Sequence, residues 1–222
     1  MGIAWDGDFD RCFLFDENGT FIEDYYIVGL LAAAFLQKET GAKVIHDPRL
    51  TWNTLDTCRE HGSIAIQSKT GHAFIKERMR LENAIYGGEM SSHHYFRSFA
   101  YCDSGMIPWL LVAELVNRQG KMLSQLIGER IARFPCSGEV NSTVGCASTV
   151  MQAVQDGYQG DATEADTLDG LSPVLPEWRV NISSSNTEPL LRVNIESRAN
   201  PQLVADKMEE IRRIISSTET QD

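Results

Sequence analysis

The sequence predicts an α/β fold in which a larger domain of alternating strands and helices is followed by a smaller α+β domain. Between residues 12 and 134, short apolar runs typical of buried strands alternate with longer helical stretches. That order implies a parallel sheet that is covered by helices on both faces. From residue 136 to 175 the chain is rich in Ser, Gly, Asp and Thr and only weakly periodic, and this change indicates a second domain.

Local signals bound the predicted elements of the first domain. The turn Asp16–Gly19 closes the first strand, the apolar run Ile27–Leu36 lies in the first helix, and Thr51 begins the second helix. Gly87-Gly88 ends the last strand. The predicted strands are 12–15, 44–46, 63–67 and 84–86, and the predicted helices are 24–38, 51–60, 73–81, 106–116 and 123–134.

The second domain shows two alternating stretches before a closing helix. Trp178, Val180 and Ile182 share one face of the first stretch, and polar residues occupy the other face. The predicted elements are strands at 177–183 and 190–195 and a helix at 201–215. We expect the boundary between the two domains near residues 120–137.

Composition excludes several classes of partner. The 222-residue chain carries a net charge of −11 with a pI near 4.9, so we expect neither nucleic acid nor an anionic membrane surface to bind it. Five cysteines without a CxxC pair indicate reduced thiols and a cytoplasmic protein. The most apolar run, Ile27–Leu36, is about half of the roughly 20 residues that a membrane span needs, which favours a buried helix.

Three aspartates fill alternate positions near the start of the chain, in the hexapeptide Asp6-Gly-Asp8-Phe-Asp10-Arg11. Carboxylates this close repel one another unless a hard cation lies between them, so a divalent-metal loop is the favoured interpretation. The spacing also begins an EF-hand, but Arg11 stands where that loop needs Gly and an apolar strand follows. A solvated acidic turn without a ligand is the remaining alternative.

A polar stretch, Gly88–His94, follows a predicted strand, where open α/β sheets bind their ligands. Glu89, Ser91 and His93 offer the mixture of hydrogen-bond donors and acceptors that suits sugar hydroxyls. The adjacent histidines could instead hold a metal, or one of them could be a satisfied core residue.

Basic residues follow two other predicted strands. Lys69 and His72 come after the strand at 63–67, and Arg49 comes after the strand at 44–46. These side chains could converge on the same cleft as the Gly88–His94 stretch, or they could be surface groups.

A hydroxyl-rich loop, Ser183–Glu188, separates the two strands of the second domain. Ser185 and Glu188 match a helix capping box, but the residues after Pro189 alternate with period two, so a strand follows instead of a helix. Hydroxyl and backbone N–H groups in such a turn can hold a phosphate. A plain turn is the alternative.

Together these motifs resemble the α-D-phosphohexomutase family, in its bacterial phosphomannomutase branch, and the resemblance runs nearly end to end. Its most specific stretches are Asp6–Arg11, Lys69–Met79, Gly88–Phe96, Tyr101–Trp109 and Ser185–Pro189. The resemblance implies a mixed three-layer α/β domain over residues 20–125, which is the third phosphohexomutase domain. It also implies a C-terminal α+β domain over 130–222 that is like the TATA-box-binding protein, and a remnant of the second domain over 1–19.

Members of this family interconvert hexose 1-phosphates and 6-phosphates through a phosphoserine and a hexose 1,6-bisphosphate intermediate. The resemblance therefore implies a hexose phosphate substrate, here mannose phosphate, and Mg²⁺ as cofactor. The implied roles are Asp6, Asp8 and Asp10 for Mg²⁺, Arg11 for the phosphoserine, Glu89 and Ser91 for sugar hydroxyls, Arg49, His72 and His93 as basic or proton-handling groups, and Ser185, Asn186 and Thr187 for the phosphate that does not react.

The phosphoserine loop of the family lies well upstream of the metal loop, and the present sequence has nothing upstream. We therefore expect the chain alone to be inactive, and the N-terminal half is the protein partner that the resemblance implies. A non-catalytic sugar-phosphate-binding module and a gene remnant are the alternatives. We also expect weak Mg²⁺ affinity, because the metal loop normally leans on strands of the second domain.

A second departure concerns the phosphate loop. Ser183 stands where loops of this family usually carry Arg, and the loss of a bidentate cation should weaken the grip on phosphate. Arg179 is on the same face as Ser183 but far along the strand, so Arg192 is the better candidate for a substitute.

Overall fold

The computed structural model describes residues 1–184 and 190–219, and it divides the chain into two compact units. The first unit holds Met1–Asp47 and Thr51–Ile131, and the second holds Pro48–Leu50 and the chain from Ala132 onward. The predicted phosphate-binding residues Ser185, Asn186 and Thr187 lie outside the described residues. None of the described helices combines the length and the apolar character that crossing a membrane would require.

The first unit is built from two sheets and their helices. Strands β1 (Gly2–Trp5), β2 (Cys12–Phe15) and β3 (Phe21–Ile22) form a small antiparallel sheet. The larger sheet contains β4 (Lys43–His46), β5 (Ile64–Gln67), β6 (Tyr86–Gly88), β7 (His94–Phe96) and β8 (Cys102–Asp103). The helices are α1 (Asp24–Lys38), α2 (Trp52–Glu60), α3 (His72–Glu82), α4 (Ile107–Gln119) and α5 (Leu123–Arg133), whose last two residues belong to the second unit.

The larger sheet has the strand order β5-β4-β6-β7-β8 and mixed direction. β4 pairs in parallel with both β5 and β6, and Ile45 lies opposite Ile66 on one side and Gly87 on the other. β7 and β8 are antiparallel, so the parallel sheet expected from alternation is wrong at this edge, whereas the mixed sheet implied by the resemblance is confirmed. These two strands are only three and two residues long, too short for an alternating pattern to reveal them.

Helices cover both faces of the larger sheet, as two adjacent glycines of β6 show. A Cβ at Gly87 would lie 2.8 Å from Met79 Sδ of α3, and a Cβ at Gly88 would lie 2.6 Å from a methyl group of Val28 in α1. Because successive residues of a strand face opposite sides of the sheet, α3 and α1 lie on opposite faces. The first unit therefore has the predicted three-layer α/β architecture.

The second unit is an antiparallel sheet packed against two helices. Its elements are β9 (Cys136–Thr143), α6 (Ala147–Tyr158), β10 (Glu164–Asp166), β11 (Ser172–Val174), β12 (Trp178–Ser184), β13 (Leu190–Ser197) and α7 (Pro201–Glu219), and its strand order is β10-β11-β12-β13-β9. The predicted inward face of β12, Trp178, Val180 and Ile182, is buried in one core with residues of α6 and α7. The unit is thus α+β, as expected, with four elements in the stretch that showed only weak periodicity.

Candidate functional site

The aspartate loop, residues 6–11, joins β1 to β2 in a hairpin. Asp6, Asp8 and Asp10 each bring one carboxylate oxygen to within 4.8 Å of the others. Arg11 closes the loop, because its backbone N and its Nε lie 3.3 Å and 3.2 Å from the two carboxylate oxygens of Asp6. The hairpin excludes the EF-hand alternative, which needs a helix on each side of the loop.

The three aspartates fit a hard divalent cation such as Mg²⁺. Asp10 Oδ1 is shielded from solvent and has no hydrogen-bond partner among the described residues. A buried carboxylate oxygen beside two other carboxylates is costly unless a cation accompanies it. A set of three carboxylate oxygens is also the donor type that Mg²⁺ prefers over softer metals.

A close backbone approach shapes the aspartate loop. Phe9, between Asp8 and Asp10, has a positive φ of 63°, which is uncommon for a bulky residue and marks a locally strained backbone. A Cβ added at Gly105 would lie 2.5 Å from Phe9 O, so only glycine fits against this loop. Trp5 Nε1 donates a hydrogen bond to Gly105 O at 2.8 Å and ties the glycine to β1.

The turn between β6 and β7 carries the predicted sugar-binding residues. Glu89 N donates to His93 O at 3.0 Å and closes the turn. The Glu89 side chain is buried, and each of its oxygens accepts a hydrogen bond: the Tyr95 hydroxyl lies 2.5 Å from Oε1, and Gly71 N lies 2.9 Å from Oε2. Ser91 is only partly buried, so its hydroxyl is the more accessible of the two predicted sugar ligands.

His93 joins the aspartate loop to this turn. Its Nε2 lies 3.4 Å from Asp10 Oδ2, and its Nδ1 lies 3.1 Å from Ser91 Oγ. The backbone of His93 also forms an antiparallel bridge with Arg11. An imidazole with a carboxylate at one nitrogen and a hydroxyl at the other can hold or transfer a proton, so the predicted metal and sugar groups belong to one connected set.

A second carboxylate approaches His93 from β8. Asp10, His93 and Asp103 also bring one ligand atom each to within 4.8 Å of one another. Lys76 of α3 forms an ion pair of 2.6 Å with Asp103. Burial opposes ionisation of Asp103, but the hydrogen bond from Lys76 and further favourable contacts outweigh it, and the pKa of Asp103 lies below its ordinary value.

Of the two adjacent histidines, His94 is a core residue whose hydrogen bonds are satisfied, which is one of the alternatives that the sequence allowed. Its side chain is fully buried, with Nδ1 2.6 Å from the Tyr86 hydroxyl and Nε2 3.3 Å from Asp24 Oδ1. Ser92 Oγ donates to the same Asp24 carboxylate. Burial raises the pKa of Asp24, against the opposing effect of its hydrogen bond with His94. This network links the start of α1 to the β6–β7 turn.

The turn before α3 contributes the predicted residues His72 and Lys69, which are both exposed. Gly71 lies between them with a φ of +113°, a conformation that L side chains rarely adopt. Its backbone N–H donates to Glu89, as described above. His72 therefore directly follows Gly71, whose hydrogen bond holds the carboxylate of Glu89, a predicted sugar ligand.

Arg49 belongs to the second unit, where an ion pair holds it. Its Nη1 lies 3.1 Å from Glu139 Oε2 of β9, and Arg192 Nε of β13 lies 3.8 Å from the other oxygen of the same carboxylate. Arg192 lies opposite Ser183 in the register of β12 and β13. Two guanidinium groups therefore flank one carboxylate beside the strand that leads into the hydroxyl-rich loop, and the three groups together carry a net positive charge.

Arg179 has a structural role in the second unit. It is buried and pairs with Glu196 at 3.0 Å. Its guanidinium also donates to the carbonyl oxygens of Arg49 at 3.0 Å and Pro48 at 2.8 Å. These bonds hold the segment Pro48–Leu50 in the second unit. They also engage the guanidinium group of Arg179 within that unit.

Four residues of the candidate site were not singled out from the sequence. They are Tyr95, which bonds Glu89; Asp103 and its partner Lys76; and Gly105, which approaches the aspartate loop. All but Lys76 lie on or next to the short antiparallel strands β7 and β8. These residues could have been found from the sequence only if the two strands had been recognised there.

Comparisons with known proteins identify the family and the fold of the chain. The family model of the phosphoglucomutase/phosphomannomutase alpha/beta/alpha domain III matches residues 23–134. A phosphomannomutase of Escherichia coli is 62% identical over 211 residues, which are 95% of this chain and 46% of that protein. The chain thus spans about half the length of the curated relatives that it matches.

Solved structures share the fold. The crystal structure of a phosphoglucomutase/phosphomannomutase family protein of Burkholderia thailandensis matches with a TM-score of 0.81 and 26% identity, over 98% of this chain and 46% of that chain. The N-acetylphosphoglucosamine mutase of Aspergillus fumigatus, in complex with GlcNAc-6P and magnesium, matches with a TM-score of 0.66 and 14% identity over 98% of this chain and 48% of that chain. Since the family model covers half of the sequence, the chain belongs to the phosphoglucomutase/phosphomannomutase family.

Proposed function

We propose that this chain is the C-terminal part of a phosphomannomutase that interconverts mannose 6-phosphate and mannose 1-phosphate through a phosphoserine and a hexose 1,6-bisphosphate. The observation that carries the proposal is His93, whose two ring nitrogens connect Asp10 of the aspartate loop to Ser91 of the sugar turn. The name of the Escherichia coli relative supports the substrate. Phosphoryl transfer needs a metal ion beside the bound sugar. The aspartate loop would supply the metal site, and the β6–β7 turn would supply the sugar site.

Asp6, Asp8 and Asp10 would hold Mg²⁺, and the ion would neutralise charge on the phosphoryl group in transit. The magnesium in the Aspergillus mutase complex supports Mg²⁺ as the cofactor in this proposal. Arg11 keeps the loop closed through Asp6 and would turn its remaining donors toward a phosphate.

The β6–β7 turn would bind and orient the sugar. Glu89 offers fixed carboxylate lone pairs, and Ser91 offers a hydroxyl that can donate or accept. His93 would hold a proton at Nδ1 or Nε2 for the hydroxyl that attacks or leaves, and His72 would add a second titratable group.

The second unit would bind the phosphate that does not react. Arg49 and Arg192 flank Glu139, and Arg192 lies opposite Ser183, so Arg192 would replace the Arg that family loops usually carry at the Ser183 position. Ser185, Asn186 and Thr187 complete the phosphate site in this proposal. The replacement is tested by Arg192→Ala, which should weaken phosphate-ester binding by about tenfold, the size of one lost charge-assisted hydrogen bond.

The proposal is tested in a coupled assay that follows mannose 1-phosphate with Mg²⁺. We expect no turnover by the 222-residue chain alone and recovered turnover when the unmatched part of the Escherichia coli phosphomannomutase is added. Glu89→Gln should then lower the rate by at least about tenfold, while Glu114→Gln, on the exposed side of α4, should leave it unchanged. Turnover by the chain alone would contradict the need for a partner.

Calorimetry with mannose 1-phosphate distinguishes the proposed enzyme part from the alternative, a non-catalytic binding module. Micromolar binding by the chain alone, without activity in any mixture, would favour a non-catalytic sugar-phosphate-binding module. The absence of both binding and recovered activity would contradict the proposal. A cytoplasmic location also stays a prediction from the reduced cysteines.

A further inference from the structure

We propose that Tyr95 is the positioning residue for Glu89, because its hydroxyl sets the orientation of the carboxylate that would receive a sugar hydroxyl. Through the Glu89 carboxylate, Tyr95 also stabilises the turn before α3. The proposal rests on the proposed function for its ligand, but its structural part stands on contacts within the first unit. Tyr95 has no direct part in the proposed chemistry, and it acts through Glu89.

Tyr95 is fully buried in a small core with Ile45, Ile75, Met79 and Ala84, so its ring has little freedom to move. Its hydroxyl donates a hydrogen bond to Glu89 Oε1, and a carboxylate is a stronger hydrogen-bond acceptor than a neutral group. Burial first, and the neighbouring Glu89 second, raise the pKa of Tyr95, so the phenol keeps its proton and stays a donor.

The ring of Tyr95 serves other groups of the site. His93 stacks on it with ring centroids 6.3 Å apart, and Lys76 Nζ lies 5.9 Å from its centroid. Because these contacts involve the ring, Tyr95→Phe preserves them and removes only the hydroxyl. The substitution therefore isolates the bond to Glu89 from the packing of the core.

Glu89 transmits this constraint to the turn before α3. Its second oxygen, Oε2, accepts the backbone N–H of Gly71 at 2.9 Å. If the carboxylate rotates after the hydroxyl is lost, both the sugar ligand and the Gly71 bond change together. Met90 N–H is a useful internal reference, because it lies in the same turn as Glu89 but donates to Asp47 Oδ2 at 2.8 Å instead.

The experiment is amide hydrogen exchange by NMR on the 222-residue chain and on Tyr95→Phe. We expect exchange at Gly71 to rise by about tenfold, as for a lost hydrogen bond to a charged group, while exchange at Met90 stays unchanged. Tyr101→Phe is the matched control, since it removes a phenol hydroxyl that bonds Asn83 at 3.0 Å in the same unit. Unchanged exchange at Gly71, or an equal rise at Gly71 and Met90, would overturn the proposal.

A titration with mannose 1-phosphate tests the consequence for binding. Tyr95→Phe should weaken binding by about tenfold and Tyr101→Phe should not. If the unsubstituted chain binds the ester and Tyr95→Phe binds it equally well, Tyr95 has no positioning role for the ligand. If the unsubstituted chain does not bind it, the titration is repeated on the mixture with the unmatched part of the Escherichia coli phosphomannomutase, and the exchange at Gly71 still decides whether Tyr95 positions Glu89.

Discussion

The substitution Gly105→Ala tests whether the aspartate loop depends on a close backbone approach. A Cβ at this position would lie 2.5 Å from Phe9 O, 2.8 Å from Arg11 O and 3.1 Å from Arg11 C. Real Cβ atoms essentially never approach a heavy atom closer than 3.0 Å, so the loop or the glycine turn must move by at least 0.5 Å. All three obstructing atoms belong to the backbone, which cannot yield as the end of a flexible side chain can.

The expected cost follows from that displacement. Forced overpacking typically lowers the free energy of unfolding by about 1–3 kcal/mol. Phe9 already has a positive φ, so the loop has little spare conformational freedom to absorb the shift. We therefore expect a loss near the upper part of this range, together with weaker stabilisation by Mg²⁺.

Urea unfolding, with and without Mg²⁺, measures both effects. Gly128→Ala is the matched control, because Gly128 lies in α5 with nothing within 4 Å of an added Cβ, and alanine there should stabilise the chain by up to about 1 kcal/mol. If Gly105→Ala leaves the unfolding free energy and the Mg²⁺ effect unchanged, the reasoning about backbone contact is refuted.

Three further predictions concern charge. Asp8→Asn should change the unfolding free energy without metal by less than about 0.5 kcal/mol but should remove most of the stabilisation that added Mg²⁺ gives, as thermal melts will show. Arg179→Met, which removes the ion pair with the buried Glu196, should lower the unfolding free energy by roughly 3–5 kcal/mol in urea. Hydrogen bonding led by Ser148 lowers the pKa of the exposed Cys146 to about 7, so its alkylation by iodoacetamide should rise with pH and reach half its maximal rate near that value.

Each of these predictions has a control within the chain. Glu77→Gln, an exposed charge outside the loop, should preserve the effect of Mg²⁺, and an equal loss in both variants would contradict the metal assignment. Arg213→Met removes an exposed ion pair and should cost less than about 0.5 kcal/mol. Burial raises the pKa of Cys58 to about 12, so it should stay unmodified in the folded chain, and equal labelling of both thiols would contradict the structure.

Long elements with a strong apolar pattern could be predicted from the sequence. The helix expected at 24–38 is α1, Asp24–Lys38, because its apolar run is bounded by an acidic first turn and a basic last turn. The strand expected at 12–15 is β2, because a turn closes it. The likeness of the second unit to the TATA-box-binding protein, the domain limits and the roles of the site residues stay predictions.

Short or mixed elements could not be predicted from periodicity. β7 and β8 hold too few residues for a period to appear, so Tyr95 and Asp103 were missed with them. In α6, Val150, Val154 and Tyr158 do follow helical spacing, but the surrounding Ser, Gly and Asp residues obscured it. The convergence of His93, Asp10 and Ser91 depends on the pairing of distant segments, which local sequence does not encode.

The course of the chain limits how this protein can be taken apart. Three residues between β4 and α2, Pro48–Leu50, belong to the second unit, and Arg179 bonds two of their carbonyl groups. A single cut near residue 131 would therefore strip the downstream piece of these acceptors and leave a buried guanidinium with fewer hydrogen bonds. In chimaeras between relatives, Arg179 and the segment Pro48–Leu50 should therefore come from the same parent. Hybrids that take them from different parents should fold poorly.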